Sequence, residues 1–150
     1  MDLPIDFIIK TFTDFCVCYF KDIRHDSSAP PHYYITVPVS DDSFILFCII
    51  TSQVENKLWY YKKKNEKALE SLVRIDPNHL PFLTKISVID CNMAELISRD
   101  EIVDIIDSKL DPPIKVITRN IPDELKDKII SAIKNSPIVK PIIKKMIKDI

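Results

Sequence analysis

The sequence predicts an α+β fold in which a small curled antiparallel sheet or barrel is flanked by an N-terminal helix and C-terminal helices. Three observations predict it. Segments rich in β-branched and aromatic residues bunch between residues 32 and 92 and do not alternate with helices. Residues 4–22 repeat their apolar side chains at helical spacing, and the stretch from Ala94 onward returns to that period. The 150 residues suit one domain, 1–150, because two separate cores would each be marginal.

Taken in order, Ile5, Ile8, Ile9, Phe12, Phe15, Cys16 and Phe20 recur as on an amphipathic helix over 4–22, with Pro4 tolerated in its first turn. KDIRHDSSAPPH is a charged, serine- and proline-rich connecting loop. HYYITVPVS and SFILFCIITSQ read as paired strands turning at Asp41-Asp42, and KLWYYK continues the β signal. The run Lys62-Lys63-Lys64 suits a solvated turn or sheet edge. Residues 67–75 fit a helical turn or a strand equally, and DPNHLP is a turn before the strand KISVIDCN. From Ala94, AELISRDEIVDIIDSKL is helical, with Ser98 and Glu101 spaced as a capping box, and it stops before Pro112-Pro113. IKVIT is compatible with a strand or an extended crossing. IPDELKDKIISAIKNS and the proline-started SPIVKPIIKKMIKDI are helices, so 94–150 forms a largely helical C-terminal part.

Composition excludes several functions. The chain has no glycine, so it contains no GxGxxG dinucleotide turn, no P-loop and no GxSxG nucleophile elbow. Net charge is −1, distributed as −4 over residues 1–60, −2 over 61–111 and +5 over 112–150. Four of the 21 basic residues are arginine, which argues against duplex-DNA reading. The acidic N-terminus lacks a secretion signal's basic region, and no apolar run approaches the ~18 residues of a spanning helix. A cytoplasmic protein without a membrane partner is expected, with Cys16, Cys18, Cys48 and Cys91 reduced and packed as small hydrophobes. Cys16 and Cys18, if helical, splay about 200° apart, and no CxxC or His-x(3–5)-His completes a zinc set, so neither metal nor other cofactor is expected.

His32 and His79 each stand in a turn just before a predicted strand, where a rigid scaffold presents site residues. Two histidines can move protons in phosphodiester cleavage, one as base and one as acid. His25 sits in a polar loop beside Asp26 and is set aside. Thr51, Ser52 and Gln53 end the most apolar strand with donors suited to a phosphate or a flipped base, and Lys85 can offset charge on a phosphate oxygen. Tyr33, Tyr34, Trp59, Tyr60 and Tyr61 alternate across two expected strands, leaving some, Tyr34 among them, to stack on bases. Asp90 and Asn92, flanking Cys91, read as a turn.

PPHYYITVPVSDDSFILFCIITSQ resembles the first half of the PemK/MazF toxin family, where a strand opens at an R-P dipeptide and the next strand ends in a T-[ST] pair. TKISVIDCNMAELISRDEIVDII is similar to that family's later strand, loop and helix, so the resemblance spans about residues 30–108. His32 and His79-Leu80-Pro81-Phe82 also fit small barrels of this class that carry a histidine before the first strand and an H-x-P-F turn. The resemblance implies an SH3-like barrel that forms a homodimer and cleaves single-stranded RNA without metal, through attack of the ribose 2′-hydroxyl. It implies an antitoxin protein as partner. Thr51 and Ser52 match the family's hydroxyl pair, while His32 replaces its usual arginine. Asp90 and Asn92 stand where relatives can hold an arginine and an aspartate, and the glycine before the first strand is missing.

These readings converge on a toxin-like endoribonuclease of a toxin–antitoxin or phage-defence type. His32, His79 and Lys85 are its catalytic residues, and Thr51, Ser52, Gln53 and Tyr34 hold its substrate. The alternative is a non-catalytic barrel module. Its basic C-terminal helix, with Ile138, Val139, Ile142, Ile143 and Ile147, would then bind an acidic partner or a second copy.

Overall fold

The β2–β3 hairpin organises the molecule. In the computed structural model, which describes residues 4–24, 28, 30–108 and 113–148, β2 (His32–Val37) and β3 (Phe44–Thr51) pair antiparallel from Tyr33↔Ile50 to Val37↔Leu46. The expected Asp41-Asp42 turn closes it: the Asp41 carboxylate accepts from the Ser43 amide (2.9 Å), and the Phe44 amide donates to the Asp41 carbonyl. Around this hairpin stand β1 (Cys16–Phe20), β4 (Leu72–Ile75), β5 (Ser87–Ser98) and β6 (Lys115–Thr118). The helices are α1 (Ile5–Phe12), α2 (Val54–Lys64), α3 (Arg99–Asp107), α4 (Asp123–Asn135) and α5 (Pro141–Met146), with a 3₁₀ turn at Glu66–Ser71. All pairings are antiparallel, in the order β4-β5-β3-β2-β1-β6. The fold is α+β with a curled sheet, whose strands extend on both sides of residues 32–92.

Four elements differ from the sequence reading, each for a physical reason. The helix expected over SPIVKPIIKKMIKDI is confined to Pro141–Met146, because Pro141 holds Lys140 extended and Ile147 leaves to bridge Val39. The expected helix over 4–22 ends at Phe12, and CVCYF is strand β1. An apolar side chain at every position satisfies both helical and strand templates; pairing with β2 and β6 decides between them. The segment KLWYYK lies in helix α2, not in a strand. Its Val54, Lys57 and Tyr61 share an inward stripe at helical spacing, and three lysines in the last turn favour the negative end of the helix dipole. Tertiary context there overrides aromatic β-propensity. Finally, AELIS belongs to β5, so the next helix opens at Arg99; Ser98 and Glu101 form the expected capping box. The open choice over 67–75 resolves as 3₁₀ turn and then strand, and IKVIT as strand. The predicted end of the helix before Pro112 falls outside the described residues.

Both faces of the sheet are covered. One core packs Val17, Ile35, Leu46, Cys48, Ile50, Ile89 and Cys91 against Leu125, Ile129 and Ile133 of α4. The other packs Cys16, Cys18, Phe20, Ile45, Phe47 and Ile97 against Ile8 and Phe12 of α1 and Ile102 and Ile105 of α3. Each large side chain so buried contributes roughly 1.5–3 kcal/mol. Beyond α5 the chain returns to the hairpin: Ile147 bridges Val39, the Ser40 amide donates to the Met146 carbonyl (2.7 Å), and the Lys148 amide to that of Pro38 (3.0 Å). No helix among the described residues is long and apolar enough to cross a membrane.

Candidate functional site

Where β2 begins and β3 ends, a cavity of about 380 Å³ opens. His32, Thr51, Ser52, Gln53 and Lys85 all line it. Its wall is aromatic: Tyr33 packs in a tilted arrangement against Tyr19 (4.7 Å between ring centroids, 44° between planes) and against Phe82 (4.8 Å, 43°). The sheet end accounts for this grouping, since β3 emerges from the core at Thr51 and the chain turns into α2 within three residues. The Gln53 amide donates to Thr51 Oγ1 (3.1 Å), which fixes the turn. Gln53 precedes α2 with its Oε1 accepting from Asn56 Nδ2 (2.9 Å) and not from a backbone amide of the helix, leaving the first-turn amides for another acceptor. A second hollow, of about 630 Å³, shares Ser52, Gln53 and Lys85 with the cavity and adds Arg74 and Ile86.

His32 stands at the rim of the cavity with its ring on the opposite face of the sheet from Tyr33. Alternation along β2 puts His32 with Tyr34, and their rings meet edge to face at 6.4 Å. Burial pushes the His32 imidazole below its ordinary value, and the positive charge of Lys57 pushes it further the same way. At pH 7 the ring is therefore neutral and able to accept a proton.

Lys57 is itself held. Its ammonium lies 2.9 Å from a carboxylate oxygen of fully buried Asp90, and the Tyr61 hydroxyl donates to the same oxygen (2.7 Å). The other oxygen of Asp90 accepts from the Asn92 amide (3.1 Å). Burial, then the bond to Asp90, pushes the Tyr61 hydroxyl well up, so it stays a donor. Asn92 donates to the Ala68 carbonyl (2.8 Å) and accepts from Ser136 Oγ (2.7 Å), joining the 3₁₀ turn to the end of α4. Asp90 and Asn92 are thus not a turn but buried residues within β5. Pairing of Phe47 with Glu95 and of Ile49 with Asp90 leaves Cys91–Ala94 opposite Cys48 alone, and this bulge redirects Asn92.

Two sequence-predicted site residues lie apart from this group, since neither His79 nor Tyr34 lines the cavity. His79 closes its own turn, its Nδ1 accepting from the Asp76 amide at 3.2 Å, and it lies 3.2 Å from the Asp76 carboxylate. An imidazole nitrogen accepts from an amide only while it carries no proton, so the amide bond describes this contact better than an ion pair. Tyr34 packs into the second core against Phe20 (4.6 Å); burial, and then Asp22, push its hydroxyl up to about 12. The expected alternation of five aromatic residues over two strands holds for Tyr33 and Tyr34; Trp59, Tyr60 and Tyr61 are on α2. His25 lies outside the described residues.

Sequence reading missed Lys57 as the charge beside His32, and it missed Arg24. The Arg24 guanidinium forks onto Asp22 (2.9 and 2.8 Å) and reaches Glu95 (3.2 Å) near Tyr34. A tighter signal existed for neither, because their partners are distant in the chain or in an irregular loop. On a strand, Cys16 and Cys18 share one face and are not splayed. All four thiols are buried, and burial pushes Cys16 up to about 12. No group of three His, Cys, Asp or Glu side chains among the described residues is placed to hold a metal ion. Compared with known proteins, the chain matches no family model and no curated protein.

Proposed function

We propose that the protein is a toxin-like endoribonuclease that cleaves single-stranded RNA without a metal ion. The observation that carries this reading is that Thr51, Ser52, Gln53 and Lys85 line one aromatic-walled cavity with His32 at its rim, where an RNA strand crossing the sheet end can reach the ring. Neutral His32 takes the proton of a ribose 2′-hydroxyl, whose oxygen attacks the adjacent phosphorus. A 2′-oxygen–phosphorus bond forms, the bond to the 5′-oxygen breaks, and water protonates the leaving oxygen. Lys85 offsets the charge on the phosphorane, and Thr51, Ser52 and Gln53 orient the phosphate. Tyr33 and Phe82 offer ring faces to a base. His79, occupied in its own turn, takes no part.

The test is incubation of purified protein with labelled single-stranded RNAs in excess chelator. Expected products carry a 2′,3′-cyclic phosphate and a 5′-hydroxyl. His32→Ala should lower the rate by roughly 10²–10⁴, the usual contribution of a positioned base. With one titrating catalyst, the rate should rise with pH through the depressed value of His32 and then level off. A bell-shaped profile abolished by His79→Ala would restore the two-histidine mechanism. Wild-type protein inert on varied RNAs would remove the enzyme.

One observation favours the interaction module. Ile138 and Ile142 are exposed near Lys140 and Lys145, making a mixed apolar and basic surface. Val139 and Ile147, expected on the same face, are instead buried in the first core. The surface is therefore smaller than the sequence suggested.

A further inference from the structure

Helix α2 turns its largest side chains outward. Trp59 is 66% exposed and Tyr60 48%, whereas Tyr61 is 2% exposed and anchors the helix through Asp90. Folding of this domain does not require an outward tryptophan, and exposed aromatic residues flanked by charge mark contact surfaces. Trp59, Lys62 and Lys63 follow one another at i, i+3 and i+4, and the Lys63 ammonium lies 5.7 Å from the centre of the Trp59 ring. Tyr60 and Lys64 form the next stripe, and Glu55 is the sole acid of the helix.

We propose that the outer face of α2 is a second contact surface for single-stranded RNA, with Trp59 and Tyr60 stacking on bases and Lys62, Lys63 and Lys64 meeting phosphates. The proposal rests on the ribonuclease reading for the identity of the strand. Continuity supports it, because the first turn of α2 lines the hollow that holds Arg74 and shares Lys85 with the cavity. A strand leaving the cavity past Lys85 meets α2 next. Flat rings set among lysines suit a chain of bases and phosphates better than an acidic peptide, whose side chains offer no ring face. Being about 16 Å long, the helix can carry more than one base.

Trp59 is the only tryptophan of the chain, so its fluorescence reads this surface directly. The wild-type protein is titrated with a 2′-O-methyl RNA oligonucleotide, which cannot supply the nucleophile. Saturable quenching is expected, weakening with salt. Lys62→Gln/Lys63→Gln/Lys64→Gln should lower affinity and flatten the salt dependence by up to about two units of log slope, at ~0.7 per phosphate contact. Trp59→Ala, which removes the reporter and is therefore titrated by the anisotropy of a fluorescein-labelled oligonucleotide alongside wild type, should weaken binding at least about fivefold. Both variants should cleave an RNA dinucleotide, too short to reach α2, like wild type, while KM for long RNA rises. Unchanged affinity and unchanged KM in both variants, with wild-type cleavage intact, would overturn this surface and leave the ribonuclease standing. Quenching without any cleavage would overturn the ribonuclease and leave the surface. Equal quenching by polyglutamate would overturn the assignment to RNA.

Discussion

The two faces of the sheet are built from different materials. The face under α4 is mainly aliphatic, with Ile35, Leu46, Ile50, Ile89, Leu125 and Ile129 buried, Phe15 its one buried ring among the described residues, and Tyr33 and Phe82 half-buried beside them. The face under α1 and α3 is aromatic: Phe47 meets Phe12 and Phe20 edge to face at 5.6 and 5.5 Å, and Tyr34 at 6.1 Å. His32 stands at the end of that second row, within ring contact of Tyr34. One face therefore supplies mainly aliphatic adhesion, its buried Ser71, Asn92 and Ser136 each hydrogen-bonded, while the other places an ionisable ring where packing sets its charge. The same sheet serves as wall and as bench.

Core truncations test this division most forcefully. Phe47→Ala should cost about 3–5 kcal/mol and Ile129→Ala about 2–5 kcal/mol in urea unfolding. The two should differ in a second reading: Phe47→Ala should shift the His32 ring resonances in NMR, and Ile129→Ala should leave them near wild type. Equal shifts from both would mean that the faces are not independent. A smaller effect is expected at the buried carboxylate. Asp90→Ala strands the Tyr61 hydroxyl and the Asn92 amide and frees Lys57, for about 1–3 kcal/mol. Lys57→Met should raise the His32 pKa toward its ordinary value, because it removes a charge that opposes protonation.

The smallest expected effect is the pH dependence of stability. The folded pKa of His32 is below that of the unfolded chain, near 6.5, so the unfolded state binds the extra proton in between. The contribution of the neutral ring is complete above about pH 6.5 and is lost as pH falls through the folded value. Urea midpoints should therefore rise with pH across that window, and His32→Gln should flatten the rise. A rise that persists unchanged in His32→Gln would assign it to another group.

Legibility in the sequence followed the reach of each signal. The β2–β3 hairpin, the Ser98–Glu101 cap and α4 announce themselves within a dozen residues, through alternation, a capping pair and an amphipathic stripe. β1 did not, because Cys16, Val17, Cys18 and Phe20 are all buried, and a strand with two buried faces has no period to read. α2 was hidden by its aromatic residues, two of which face outward. For the site, residues at strand ends were legible because the chain leaves the core there, as at Thr51 and Ser52. The ion pair of Lys57 with Asp90 was not, since only the folded sheet brings α2 onto β5.

The bridge between Val39 and Ile147 carries a kinetic consequence. It joins positions separated by most of the chain, so its loop-closure entropy is among the largest in the molecule, and we expect it to form late. The hairpin, held by neighbours in sequence, is the natural early nucleus. Between those two events, the backbone of Pro38–Ser40 waits unpaired beside a finished strand. That interval is when a crowded, partly folded population is most exposed to edge pairing between molecules, and Pro38 at this edge removes one of the amides that such pairing would use.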